Sequence, residues 1–128
     1  MRSIVITRKN KFAGSLLPFW IISADVCMQI PARFQTIDRV LVDWNGQPRS
    51  TIHVRMLDEI GVRIKNGETV TVEVPDDVTA VYAVTMDGIL SNECPLSEKA
   101  ECKLVLTVKG GFRQPSYPWF ENAEMVNR

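Results

Sequence analysis

Residues 60–84 read IGVRIKNGETVTVEVPDDVTAVYAV, and this stretch decides the predicted fold. Within it, residues 70–74 alternate apolar and polar side chains, which is the period of a strand with one buried face. Two clusters of turn residues, 65–67 (KNG) and 75–77 (PDD), separate this strand from apolar alternation on either side. The stretch therefore predicts three successive strands joined by two tight turns.

The apolar rows of these strands determine the loop lengths that we predict. A two-residue first turn would set the rows on opposite faces, because a shift of one residue moves every side chain across the sheet. A three-residue loop with Gly67 left-handed instead pairs Val62 with Val70. The same argument at the second turn pairs Val74 with Val78, so we expect an antiparallel meander. The expected inward rows are Ile60, Val62 and Ile64, then Val70, Val72 and Val74, then Val78, Ala80, Tyr82 and Val84.

Short apolar runs separated by turn signals predict strands in the rest of the chain. Residues 19–23 form the most apolar run, and residues 51–57 alternate with Ile52, Val54 and Met56 on the inward row. Further strands are predicted at residues 3–7, 40–44 and 102–108, with a short one between residue 89 and Pro95. Seven or eight short strands with a turn about every ten residues are typical of an all-β antiparallel sandwich, with a small barrel as the alternative.

The chain is predicted to divide into one domain and a tail. Residues 1–111 form the β-sandwich domain, since a chain of 128 residues is long enough for one domain with its own core. Residues 112–128 carry Tyr117, Trp119 and Phe120 among prolines. We expect this tail to pack on the domain in an extended form before it frays.

Composition and charge narrow the classes of partner. The chain has 15 basic and 15 acidic side chains, so no net charge favours nucleic acid or an anionic membrane surface. No apolar run approaches the ~20 residues that a membrane span requires. The cysteines Cys27, Cys94 and Cys102 lack metal-type spacing, which favours a reducing compartment and a cytoplasmic location. A single bridge between Cys94 and Cys102 remains open at this point.

Two sequence elements carry a resemblance to other proteins. Residues 8–14 (RKNKFAG) fit an R-K-x-x-F-x-G pattern, and residues 64–68 (IKNGE) fit I-x-N-G-E ahead of alternating valines. Residues 91–93 (SNE) echo a third element. In these stretches the chain resembles a loose group of small uncharacterised bacterial β-sandwich proteins, seen mainly in Gram-positive species. The resemblance implies the fold, and because the group has no assigned activity it supplies no catalytic residue.

No arrangement of reactive side chains predicts an enzyme. His53 is the only histidine, and by parity it should lie on the exposed face of its strand. The carboxylate pairs Asp58-Glu59 and Asp76-Asp77 are interpreted as caps of backbone N–H groups at turns. The chain has no C-x-x-C or H-x-x-x-H pair and no glycine-rich phosphate loop. We therefore predict no enzymatic activity, no catalytic residue, no metal site and no cofactor.

Two sets of side chains are candidates for ligand contact. The first set is the basic cluster Arg8, Lys9 and Lys11. It either forms a solvated turn or meets phosphate. The second set is aromatic and consists of Trp44, Tyr117, Trp119 and Phe120. These rings either pack against the domain or form a binding surface, because exposed aromatic area is costly unless it is used.

Three functional hypotheses follow, and the first is favoured. It is a non-enzymatic interaction or ligand-binding module, which would take up a protein partner or a second copy of itself by strand addition at an uncovered edge. The second is single-stranded nucleic-acid binding by a small barrel, against which the zero net charge counts. The third is carbohydrate binding through Trp44 or Trp119.

Overall fold

A computed structural model describes residues 2–10, 17–27, 39–96, 101–109 and 117–121. Within these ranges the chain is mostly strand, with two short helices. The elements are β1 (Arg2–Arg8), β2 (Phe19–Ser23), α1 (Ala24–Cys27), β3 (Arg39–Val42), β4 (Pro48–Ile52), α2 (Val54–Ile60), β5 (Val62–Ile64), β6 (Thr69–Val74), β7 (Ala80–Thr85), β8 (Cys94–Pro95), β9 (Glu101–Lys109) and β10 (Tyr117–Phe120). Lys11 and Phe12 lie outside the described residues.

Two four-stranded sheets and one separate hairpin make up the architecture. Sheet 1 has the strand order β10-β9-β1-β6, and sheet 2 has the order β5-β2-β7-β8. All neighbours are antiparallel except β1 and β9, which run parallel. Strands β3 and β4 form a two-stranded hairpin of their own. The prediction of an all-β sandwich is confirmed, and the sheets do not close into a barrel.

The main core lies between the two sheets. It contains Ile4 and Ile6 of sheet 1 and Phe19, Ile21 and Ala83 of sheet 2, all less than 2 % exposed. Because the apolar side chains alternate along β1 and β6, only one face of sheet 1 is buried.

Sheet 2 is buried on both faces at its two central strands. On the outer face, Trp20, Ile22 and Val84 pack against Met56 and Leu57 of α2. A strand covered on both faces needs a continuous apolar run, which the sequence FWII of β2 provides. Helix α2 therefore acts as a third layer over the centre of sheet 2.

The meander predicted for residues 60–84 is wrong. Strand β6 pairs with β1 in sheet 1, whereas β5 and β7 both pair with β2 in sheet 2. The turn itself is as expected: Gly67 has φ 76° and the Glu68 N–H donates to the Lys65 carbonyl at 3.0 Å. An arch between two facing sheets directs Ile64 and the valines of β6 into the same core. The predicted hairpin would also place these residues on one face, so the alternation of side chains cannot separate the two arrangements.

The strand predicted at residues 51–57 is also wrong beyond Ile52. Helix α2 begins at Val54, and His53 just before it is 3 % exposed instead of solvated. The buried or half-buried residues at 53, 56, 57 and 60 fit a helical period of 3.6 as well as the apolar residues at 52, 54 and 56 fit a strand. The pair Asp58-Glu59 consequently lies on a helix and not at a turn.

Candidate interaction edge and cleft

The outer edge of β10 is closed to further strands. The side chain of Asn92 accepts a hydrogen bond from the Phe120 N–H at 2.8 Å and donates one to the Phe120 carbonyl at 3.0 Å. These are the bonds that a neighbouring strand would make. Pro118 lies two residues before Phe120, so its backbone faces the same side of β10, and proline has no N–H to donate. Asn92 and Pro118 together therefore block this edge.

The two edges of sheet 2 are short. Strand β8 has two residues, the second of which is Pro95, and β5 has three. Short edge strands and prolines are the usual means by which sheets avoid unwanted pairing. Neither edge of sheet 2 offers a long row of backbone groups.

Strand β6 is the remaining edge, and within the described part of the chain no strand covers its outer side. It has six residues, of which Val70, Val72 and Val74 lie opposite residues 6, 4 and 2 of β1. The Arg8 N–H donates to the Glu68 carbonyl at 2.9 Å, so even-numbered residues of β6 direct their backbone groups to β1.

The odd-numbered residues of β6 therefore face the open side. Because backbone direction alternates along a strand, the N–H and C=O groups of Thr69, Thr71 and Glu73 point away from β1. The side chains of these three residues are exposed on the outer face of sheet 1. This row of backbone donors and acceptors is a ready template for another strand.

A cleft of about 260 Å³ lies beside the open edge, on the core side of β6. Its β6 wall is formed by Val72 and Val74, and its opposite wall by Ile21, Ile60 and the backbone around residues 61–62. Gly61 permits the close approach of that wall to β2, since a Cβ there would lie 2.8 Å from the Ile21 carbonyl oxygen. The volume falls below the ~300–1,000 Å³ of small-molecule sites, and it suits a few side chains of a peptide.

The rim of the cleft is acidic. Glu59 and Glu73 are among its lining residues, and the turn after Pro75 adds Asp76 and Asp77. The described lining includes neither lysine nor arginine. The rim therefore favours a partner that carries basic side chains.

Trp44, a predicted ligand residue, lies at the tip of the hairpin formed by β3 and β4. Its side chain is 93 % exposed. The turn beneath it is ordered by Asp43, whose carboxylate accepts hydrogen bonds from the N–H groups of Asn45 and Gln47, both at 2.9 Å. Gly46 completes the turn with φ 80°. The tip is thus a defined turn that presents a tryptophan to solvent.

Three aromatic residues of the predicted tail, Tyr117, Trp119 and Phe120, belong to β10, the edge strand of sheet 1. Phe120 is fully buried in the main core. Tyr117 and Trp119 contact each other edge to face, with ring centroids 6.4 Å apart, and the Lys109 ammonium lies 4.1 Å from the Trp119 ring centroid. The structure brings Tyr117 and Trp119 together and separates them from Phe120, which faces the core.

The described members of the basic cluster, Arg8 and Lys9, make contacts within the chain. Arg8 is fully buried: its guanidinium stacks 3.9 Å from the Phe19 ring centroid and donates to the Ile64 carbonyl at 3.0 Å. This burial lowers the pKa of Arg8 to about 10. Lys9 pairs with Glu121 at 2.8 Å. Arg8 therefore joins the two sheets and is not available to an external phosphate.

The sequence elements that carried the resemblance have structural roles. Residues 8–10, the described part of the first element, meet element 64–68 at the same end of the sandwich, where Arg8 donates to the Ile64 carbonyl and the Asn66 side chain donates to Asn10 at 2.7 Å. In element 91–93, the Ser91 hydroxyl accepts from the Ala83 N–H at 2.8 Å, which extends the edge of β7.

A second polar cluster fastens α2 to sheet 2. The Asp58 carboxylate accepts the Trp20 indole N–H at 2.8 Å and a fork of two Arg63 donors at 2.7 and 3.2 Å. The Trp20 hydrogen bond, followed by Arg63, holds the pKa of Asp58 below its usual range. Each of the three groups has its hydrogen-bond partner within the cluster, so the cluster stabilises the contact of α2 with sheet 2.

Within the described ranges, no three His, Cys, Asp or Glu side chains lie close enough to hold a metal ion. None of the helices seen is long and apolar enough to cross a membrane. Cys94 is buried in the main core, whereas the side chain of Cys102 lies outside the described part of the chain, so a bridge between them stays a prediction.

The open edge was missed at the level of sequence. The alternation TVTVEV predicted a strand at residues 69–74, but edge position depends on strand order, which this pattern does not encode.

Comparisons with protein-family models, with curated proteins and with solved structures find no match to this chain.

Proposed function

We propose that this protein is a non-enzymatic interaction module that binds a protein partner by strand addition at β6. The observation that carries the proposal is the contrast between its sheet edges. The Asn92 side chain and Pro118 close the edge at β10, and the edge strands β5 and β8 are short. Among the described residues no strand pairs with the outer side of β6, where three residues direct their backbone groups outward. Strand addition uses such backbone groups for affinity.

The cleft beside β6 supports specificity for the side chains of an added strand. Side chains of an added strand alternate between the two faces of sheet 1, so every second one would enter the cleft between Val72 and Ile60. The apolar walls favour aliphatic side chains at these positions. The carboxylates at the rim favour lysine or arginine at positions that stay near solvent.

The burial of Arg8 weighs against the nucleic-acid hypothesis, because the two described members of the basic cluster are a buried arginine and a lysine that pairs with Glu121.

We also propose a cytoplasmic location, which is supported by three cysteines that lack metal-type spacing in the sequence.

The test is the binding of a fluorescently labelled peptide that alternates valine and lysine, measured by anisotropy. Thr71→Pro removes one edge-facing N–H without removing a bond to β1, so we expect it to abolish binding. Thr71→Val retains the N–H and the strand propensity, and serves as the matched control that should bind as the wild type does. A peptide that alternates valine and glutamate should not bind, because of the acidic rim. Equal affinity of Thr71→Pro and Thr71→Val would contradict the proposal.

A further inference from the structure

The hairpin of β3 and β4 lacks support from the rest of the described chain. Neither strand packs extensively on another described element. One face of the hairpin carries an exposed apolar row in which Val40 is 47 %, Val42 58 % and Trp44 93 % exposed. An isolated two-stranded hairpin is marginally stable in water, and a third strand or an apolar cover normally stabilises it. The hairpin therefore has the features of half of an interface.

We propose that the hairpin of one copy adds to the β6 edge of a second copy, so that the chain associates head to tail. This inference rests on the function proposed above and names a second copy of this chain as the occupant of β6. Among its described residues, each copy has an exposed apolar strand, β3, and an open sheet edge, β6. An interface between two different surfaces of the same protein continues from copy to copy unless it closes into a ring.

Backbone direction in β3 determines the orientation of this pairing. The Asp43 N–H donates to the Gln47 carbonyl at 2.9 Å, so odd-numbered residues of β3 face β4. The backbone groups of Val40 and Val42 therefore point to the outer side of the hairpin. They are the groups that can bond to the outward-facing backbone of Thr69, Thr71 and Glu73 on β6.

Only a parallel arrangement places the apolar row in the cleft. In a parallel pair, a residue bonds to the two residues that flank the one opposite it. Leu41 would then lie opposite Thr71, and Val40 and Val42 would share the face of Val72, toward the cleft. An antiparallel pair would turn both valines to the solvent face. Sheet 1 already contains one parallel pair, β1 with β9.

The segment that forms the hairpin and the lining of the cleft differ in net charge. In the sequence, residues 39–52 contain two arginines and one acid. The cleft, in contrast, is bordered by Glu59 and Glu73, with two aspartates in the following turn. Association should therefore weaken as the salt concentration rises.

The first experiment measures molar mass by sedimentation equilibrium at protein concentrations up to about 1 mM, where even a weak complex is populated. The wild type should exceed the monomer mass of 14.5 kDa increasingly with concentration. Val42→Glu, which alters only the exposed hairpin row, and Thr71→Pro, which alters only the edge, should both remain monomeric. Leu17→Glu, at an exposed leucine outside both surfaces, and Thr71→Val are the matched controls and should associate as the wild type does.

The second experiment mixes the two monomeric variants. Val42→Glu retains an intact β6 and Thr71→Pro retains an intact hairpin, so the mixture should form a dimer of one copy of each and grow no further. A mixture that stays monomeric, or a wild type that is monomeric at every concentration, would overturn the proposal. If the wild type stays monomeric and still binds the valine-lysine peptide in a manner abolished by Thr71→Pro, the self-association fails while the proposed function stands.

Discussion

Removal of the Asn92 side chain tests how the β10 edge is closed. Asn92→Ala deletes both hydrogen bonds to Phe120, at 2.8 and 3.0 Å, and leaves a buried residue with an unsatisfied N–H and C=O. At about 1 kcal/mol for each bond, we expect a loss of about 2 kcal/mol in the free energy of unfolding. For a domain of this size the loss corresponds to a fall in Tm of about 6–10 °C.

The assay is urea unfolding followed by tryptophan fluorescence, together with amide hydrogen exchange. The Phe120 amide should exchange faster in Asn92→Ala than in the wild type, because its acceptor is gone. Asn45→Ala, at the exposed turn of the hairpin, is the matched control and should change the free energy of unfolding by less than about 0.5 kcal/mol. A loss in Asn92→Ala as small as in this control, with the Phe120 amide still protected, would refute the role assigned to Asn92.

Three further substitutions test the contacts that hold the two sheets and α2 in place. Arg8→Ala should lower the free energy of unfolding by about 2–4 kcal/mol, whereas Arg8→Met, which fills the space without a charge, should cost about 1 kcal/mol in the same urea titration. Gly61→Ala should cost about 1–3 kcal/mol, because its Cβ would meet the Ile21 carbonyl at 2.8 Å. Asp58→Asn should be less stable than the wild type at neutral pH, because the ionised carboxylate accepts the Trp20 indole N–H. The pKa of Asp58 is lower in the folded than in the unfolded protein, so the carboxylate stabilises the folded state at pH values above its unfolded-state pKa. The difference should shrink as the pH falls below about 4.

Each of these expectations has an outcome that contradicts it. Equal losses in Arg8→Ala and Arg8→Met would show that the charge, and not the filled space, is what the site requires. A Gly61→Ala protein as stable as the wild type would mean that the Ile21 carbonyl of β2 does not lie as close to Gly61 as the structure shows. A gap between wild type and Asp58→Asn that stays constant from pH 7 to about pH 3 would remove the carboxylate from the account of acid stability.

The sequence predicted those parts of the fold that depend on local pattern. Alternation placed strands at β1, β6, β7 and β9, and the turn residues correctly predicted a left-handed Gly67. The inward-facing Val72 and Val74 were also predicted correctly, because burial of one face is a property of the strand itself.

The errors arose where one local pattern fits two tertiary arrangements. The rows on either side of the 65–67 turn fit a hairpin or an arch, and the segment around His53 fits a strand or a helix. Arg8 looked like a surface residue, because the planar ring of Phe19 that stacks on it is distant in sequence and belongs to the other sheet. The position of the open edge at β6 could not be predicted, since it depends on the order of strands in sheet 1.

Amide hydrogen exchange of β6 measures whether this strand is an open edge that takes up a partner. In dilute protein, the amides of Thr69, Thr71 and Glu73 should exchange rapidly because they face an open edge, while the Phe120 amide is protected by Asn92. Addition of the valine-lysine peptide, or concentration of the protein, should slow exchange at these three β6 positions and leave Phe120 unchanged. Protection of the three amides already in the dilute protein, or protection that appears at another edge, would contradict the assignment of β6 as the site of partner binding.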